Sequence, residues 1–374
     1  MANLGFLKQL SAFSSQLPVE WYFDPRIATL EETALFEAGP RYVGHELMVP
    51  SAGDYFSLPW RDHGQALVNN GTSIELLSNV CRHRQAIMLQ GKGNARNIVC
   101  PLHRWTYDLQ GRLAGAPHFP DKPCLDLDRS SLNRWNGLLF DGEMKIADEL
   151  AGCHAANDLN FNGYWLDSVK TAHHRFNWKT FIEVYLEDYH VVPFHPGLSG
   201  FVNCDDLRWE FGDWFSVQTV GVKDGLNRAG SPVYEHWHQV VREYSRGIHP
   251  RYGAIWMVLY PNIMVEWYPH VLVISTVWPD GPEKCTNVIE FYYPEEIALF
   301  ERDFVEAQQK AYFETALEDD EICERMSQGR KVLMKRGMDD GGPYQSPMED
   351  GMLHFHEFVR RQLSARLTEI GRTC

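Results

Sequence analysis

The chain has 374 residues, 44% of them hydrophobic, with 35 basic against 50 acidic side chains and a net charge of −15. That length exceeds one core of about 250–300 residues and suits two domains, and the acidity argues against nucleic acid, whose phosphates it would repel. No eighteen apolar residues run together to mark a membrane span, and eight cysteines are too few for a disulfide scaffold, so reduced thiols in a cytoplasmic protein are expected.

The opening "MANLGFLKQLSAF" lacks the apolar run of a secretory signal. Residues 1–41 read as a helical lead-in, and from 42 to 147 the text turns to short alternating runs such as "GDYFSL", "QALVN" and "SIELLSNV". These are broken by "NNG", "GKGN" and "LQGR", which are hairpin signals, so a small all-β domain is expected. Two of its loops carry Cys81-x-His83 and Cys100-x2-His103, with sixteen residues between the pairs. Zinc sites of the finger type pair like ligands, C-x2–4-C with H-x3–5-H. Mixed pairs on separate loops suit a [2Fe–2S] centre instead, thiolates on one iron and imidazoles on the other.

The remainder, 148–374, mixes helix and strand. "NWKTFIEVYLEDYH" (177–190) reads as a helix capped by Asn177 and stopped before Pro193. On such a helix Glu183, Glu187 and His190 share a face, and His195 follows five residues after His190. Two histidines plus a carboxylate form the triad that holds a mononuclear iron with open positions for O2 and substrate. "GAIWMVLY", "IMVEWY", "HVLVISTVW" and "TNVIEFYY" give four strands of a large antiparallel sheet. Their aromatics could line a cation–π cage or simply form the core. A long helix is expected over 294–326, begun by Pro294 and two glutamates. It carries Glu318, Asp319 and Asp320, and neighbours on a helix point about 100° apart, so only one can aim at a given metal. "HFHEFVRRQLSARL" reads as a final helix. The His236/His238 and His354/His356 pairs read as packing or surface groups, and His173 and His174 as structural.

The frame "CRHR … CPLHRWTYD" closely resembles the Rieske domain of Rieske non-haem iron oxygenases. Gln85 and Arg104 depart from it, standing where that family usually has glycine. "EDYHVVPFH" resembles the family's E/D-x2-H-x4-H signature, preceded by "NWK", and "EDDEIC" resembles its C-terminal helix text. The resemblance covers nearly the whole chain. It implies an α+β fold, with a small all-β Rieske domain and a larger helix-grip catalytic domain whose antiparallel sheet is flanked by helices. It implies that Cys81, His83, Cys100 and His103 hold the [2Fe–2S] cluster and that His190, His195 and Asp319 hold Fe(II). Asn177 would sit near that iron. Glu187 would link His190 to His103 of a neighbouring subunit in a head-to-tail homotrimer or a ring multiple of it.

The enzyme so implied is a terminal oxygenase using O2 and electrons from a separate NAD(P)H-dependent reductase, with or without a ferredoxin. The chain has no G-x-G-x-x-G of its own to bind NAD(P)H. A glutamate at the bridge resembles choline, carnitine and stachydrine monooxygenases, so monooxygenation or demethylation of a small substrate is favoured. Dihydroxylation of an aromatic acid is the alternative. A zinc-stabilised binding module and a cluster-bearing electron carrier are the readings from other classes.

Overall fold

The computed structural model describes residues 16–339 and 341–373. The first fifteen residues of the expected lead-in, and Cys374, lie outside the described residues. Two compact units emerge. One runs from Pro40 to Asp148; the other joins the described residues up to Gly39 with those from Glu149 onward.

The 40–148 unit is all β. A five-stranded sheet in the order Lys92–Asn94, Asp54–Ser57, Gln65–Asn69, Ile74–Ser78, Arg129–Ser130 accompanies two three-stranded sheets. The "NNG" hairpin forms as its text predicts. Gly71 takes φ 91°, and Asn70 Oδ1 accepts from the backbone N–H groups of Thr72 and Ser73. Alternate strand residues Ala66, Val68 and Leu77 pack with Trp105, Tyr107 and Leu113 around the two loop cysteines.

The larger unit is built on seven antiparallel strands. Their order is Tyr164–His174, Cys285–Pro294, Val271–Pro279, Ile263–Tyr268, Ala254–Leu259, Phe215–Val222, Val202–Gly212. Four of the seven, Cys285–Pro294, Val271–Pro279, Ile263–Tyr268 and Ala254–Leu259, are the expected strands. Of the other three, Tyr164–His174 and Val202–Gly212 carry polar residues on partly exposed faces, and Phe215–Val222 is buried; none was expected from sequence. A 34-residue helix, Arg302–Lys335, packs against the rest of this unit, and Asp350–Thr373 forms the last helix.

Two expected helices are corrected. The run over 294–326 is interrupted at Glu301, whose φ −113° and ψ 63° are not helical, so a short helix Glu295–Phe300 precedes the long one. The helix expected to reach His190 ends at Tyr185. Leu186 N–H is shared between the carbonyls of Ile182 and Glu183, and Asp188 N–H turns aside to the Met348 carbonyl at 3.0 Å. Pro193 lies inside a separate short helix, Val191–Phe194. Glu183 therefore does not share a face with His190. It is fully buried and bound by Arg330 at 2.6 Å, His356 at 3.0 Å and the Tyr22 hydroxyl.

Candidate active site

The two Cys/His loops of the smaller unit have the same backbone design. Cys81 N–H bonds the Ala86 carbonyl at 2.9 Å and Gln85 N–H bonds back to Cys81 at 3.0 Å. In the second loop Cys100 N–H bonds the Trp105 carbonyl at 2.8 Å and Arg104 N–H bonds back to Cys100 at 3.1 Å. Each loop closes through one left-handed residue, Gln85 at φ 56° and Arg104 at φ 60°. These are the positions where glycine is usual, and the geometry gives the reason: a left-handed residue without Cβ costs less.

Both cysteines are buried. Burial raises the Cys81 thiol, but the N–H groups of His83 and Arg84 and the Cys100 and Tyr107 side chains outweigh it and hold the pKa below the ordinary range. The His83 ring stacks on buried Trp105 at 4.8 Å and meets His103 edge-on at 4.7 Å. Burial and the nearby His103 and Arg84 charges hold His83 toward its neutral form, as a metal ligand requires. Its Nδ1 is buried with no hydrogen-bond partner among the described residues. Two thiols and two imidazoles on these paired loops fit a two-iron cluster.

In the larger unit, among the described residues, His190, His195 and Asp319 alone bring three such donor atoms within 4.8 Å. Asp319 Oδ1 lies 3.0 Å from His195 Nε2 and 3.4 Å from His190 Nε2. That oxygen is buried and forms no directed hydrogen bond, so the donors face a common point rather than each other. The outer nitrogens are held by carboxylates. Glu318 Oε2 is hydrogen-bonded to His195 Nδ1 at 2.7 Å; Glu187 Oε1 stands 2.5 Å from His190 Nδ1 as an ion-pair contact, and its Oε2 accepts from the His190 backbone N–H at 3.0 Å. Carboxylates on Nδ1 leave Nε2 as the ligand atom. Burial opposes a charge on His190, yet Asp319 and Glu187 outweigh it and push its pKa up to about 10. A site this favourable to positive charge fits a divalent ion, which displaces the proton on binding.

The three consecutive acids of the long helix thus serve three histidines. Asp319 faces the triad, Glu318 holds His195, and Asp320 pairs with His174 Nδ1 at 2.9 Å. The orienting roles of Glu318 and Asp320 were missed from sequence, where both appeared only as rivals of Asp319. Asn177 is also corrected. Its side chain caps the helix through Lys179 N–H at 2.9 Å and donates to the Tyr22 and Pro282 carbonyls, and it does not line the cavity. His236 pairs with Asp303, His238 with the Leu226 carbonyl, His354 with the Tyr260 hydroxyl and His356 with Glu183 and Tyr344. Neither His-x-His pair forms a metal group.

The triad opens on a cavity of about 190 Å³ between the sheet and the long helix. Trp256, Met264, Glu266, Ser275 and Ile289 line it from the sheet; Gln308, Ala311, Tyr312 and Thr315 line it from the helix. Of the aromatics in "GAIWMVLYPNIMVEWYPH", Trp256 and Tyr268 face the cavity, whereas Tyr260 packs on Phe358 in the core. The lining includes the carboxylates of Glu187, Asp188, Glu266, Asp319 and Asp320 and no lysine or arginine. Burial pushes Asp188 and Glu266 up to about 7 each, against hydrogen bonds from Gln218 and from Tyr268 and Tyr312. Sequence reading did not single out Glu266.

Residues 164–365 match the family model "Ring hydroxylating alpha subunit (catalytic domain)", and residues 40–126 match "Rieske [2Fe-2S] domain". Putrescine 2-hydroxylase of Ralstonia nicotianae is 60% identical, covering 96% of this chain and 99% of that one. Putrescine 2-hydroxylase of Bordetella bronchiseptica is 52% identical over 96% and 87%. Among solved structures, a quaternary ammonium Rieske monooxygenase, described for carnitine oxidation and inter-subunit electron transfer, superimposes with a TM-score of 0.73. It is 18% identical, over 96% of this chain and 97% of that one.

Proposed function

The chain belongs to the Rieske ring-hydroxylating oxygenases and is a terminal oxygenase that hydroxylates a small substrate, and we propose that this substrate is a short aliphatic diamine of the putrescine class, hydroxylated at carbon 2. The observation that carries the diamine is the cavity wall: it holds no lysine or arginine, and among the described residues its Glu266 carboxylate has neither a cation nor a histidine as partner, only the Tyr268 and Tyr312 hydroxyls. Such a wall attracts a dication and repels the carboxylate of an aromatic acid, which disfavours the alternative of aromatic-acid dihydroxylation.

We assign Cys81, His83, Cys100 and His103 to the cluster, and His190, His195 and Asp319 to the mononuclear iron. The bound metals supply electron storage and O2 activation. One oxygen atom enters a C–H bond and the other leaves as water, with two electrons and two protons supplied from outside. The electrons come through a separate reductase, with or without a ferredoxin. The protein's own groups do the rest. Glu187 and Glu318 fix the two imidazole rings, Asp319 completes the facial set, and the apolar cavity wall excludes water from the reacting C–H bond.

Glu187 has a second assigned role, as the bridge to His103 of a neighbouring protomer in a head-to-tail homotrimer. Exposed Tyr189 and Val192 follow Glu187 by two and five residues, and exposed Leu102 adjoins exposed His103, which supports paired apolar surfaces. We place the enzyme in the cytoplasm. All seven described cysteines are free, and no described helix is long and apolar enough to cross a membrane.

The test offers putrescine, betaines and aromatic acids to the protein with an electron-donating reductase under labelled O2. One labelled oxygen atom in hydroxyputrescine is expected. Turnover of aromatic acids to cis-diols with putrescine untouched would overturn the reading.

A further inference from the structure

Glu266 lies on the strand Ile263–Tyr268, facing the cavity with Met264 and Tyr268. Its side chain is 1% exposed. Tyr268 donates to Oε2 at 2.6 Å and Tyr312 to Oε1 at 3.2 Å, while Trp256 Nε1–H holds the Tyr268 hydroxyl at 2.9 Å. Among the described residues no cation pairs with this carboxylate. The buried carboxylates of Glu31 and Glu183, by contrast, hold Lys179 and Arg330, each at 2.6 Å. A buried carboxylate without a cation is costly as an anion, and is relieved either by a proton or by a cation supplied from outside.

The surroundings suit an ammonium group. Tyr268 stands edge-on to Trp256 and to Tyr312 beside the carboxylate, with centroids 6.4 Å and 6.5 Å apart. The nearby Tyr185 hydroxyl is buried with no hydrogen-bond partner among the described residues and is available to a bound donor. Tyr312 and Asp319 belong to one helix, seven residues and two turns apart, a rise of about 10 Å. Tyr312, which holds Glu266, is therefore spaced from Asp319 along one rigid helix.

Resting on the diamine reading above, we infer that Glu266 anchors the ammonium group remote from the reacting carbon, and so sets both the preference for diamines over monoamines and the carbon that is hydroxylated. Putrescine is symmetric, and its carbon 2 is the third carbon from the remote nitrogen. An enzyme that measures from the remote nitrogen presents the third carbon of any homologue. In pentane-1,5-diamine that carbon is the central one, whereas measuring from the near nitrogen would give carbon 2.

The test compares wild type, E266Q and E266D, matched for cluster absorbance and iron content, on putrescine, pentane-1,5-diamine and 1-aminobutane. Wild type is expected to prefer putrescine to 1-aminobutane and to give 3-hydroxypentane-1,5-diamine. E266Q should lower kcat/KM for putrescine by about 100-fold, the loss of a buried charge-assisted contact. The loss should lie mainly in KM, and the preference for diamines should collapse. Retained preference in E266Q, or a 2-hydroxy product from the longer diamine, overturns the anchor while leaving the diamine reading intact. A wild type that converts no diamine defeats the diamine reading, and the anchor with it. Should E266Q fail to fold, E266D decides: its shorter reach should shift preference toward the longer diamine, and an unchanged ratio overturns the anchor.

Discussion

Glu318 is one residue before the assigned iron ligand Asp319, and its replacement gives a graded test of the site. The Glu318 carboxylate stands 2.7 Å from Nδ1 of His195, whose side chain is 1% exposed. Removing the carboxylate leaves a buried ring nitrogen that water cannot readily serve. Loss of such an orienting partner costs roughly 10–100-fold in metal affinity, or about 1.4–2.7 kcal/mol. Burial of His195 places Glu318→Ala near the upper figure. Glu318→Gln, which still offers an acceptor, belongs near the lower one. Asp320→Ala should change affinity by less than about threefold, since its partner is His174, outside the triad. Asp319→Ala should abolish stoichiometric binding. The assay is an anaerobic Fe(II) titration of protein stripped of its mononuclear metal, with cluster absorbance followed to show that the Rieske centre is intact. Equal losses in Glu318→Ala and Asp320→Ala, or no loss in Glu318→Ala, would refute the assignment.

Glu187→Gln should retain stoichiometric iron and cluster yet slow reoxidation of the reduced cluster by O2 and substrate; rapid single-turnover reoxidation would eliminate the bridge. Glu183→Ala should destabilise the catalytic unit by about 3–5 kcal/mol, because it strands buried Arg330, as read by urea unfolding at neutral pH. Although burial raises it, Arg330, His356 and Tyr22 together hold the Glu183 carboxyl down at about 2, against an ordinary 4.5. Its stabilisation is therefore complete above about pH 4.5 and fades as pH falls toward 2, by about 3 kcal/mol; acid unfolding that is identical in Glu183→Gln would contradict this. Gln85→Gly and Arg104→Gly should each relieve about 1 kcal/mol of left-handed strain, seen as a raised Tm of the cluster-loaded protein. A lowered Tm in both would count against the loop geometry.

The cluster loops were legible because their chemistry is written in residue types at short spacing, and Gln85 and Arg104 stood out as departures that the left-handed φ values then explained. Four of the seven strands of the large sheet were legible as apolar runs separated by hairpin-length gaps. The 177–190 segment misled because its apolar spacing continues past the point where the Met348 carbonyl draws Asp188 out of the helix, and a partner 160 residues away leaves no local trace. Glu266 was hidden for another reason. Met264, Glu266 and Tyr268 alternate with Ile263, Val265 and Trp267, and the strand is buried on both faces over most of its length. Alternation there does not tell a cavity wall from a core.

The helix Arg302–Lys335 carries the cavity wall at Gln308–Thr315, the three acids at 318–320 and the clamp on Glu183 at Arg330. This arrangement makes the segment tolerant of exchange and intolerant of change in length. Side chains at 311, 312 and 315 can vary to admit a different substrate without moving the acids. A single inserted or deleted residue between Thr315 and Glu318 would rotate everything beyond it by about 100°. It would send each acid to the wrong histidine and release the clamp in the same step. Variants selected for new substrates should therefore accumulate replacements along the cavity-facing turns of this helix and no insertions or deletions within it.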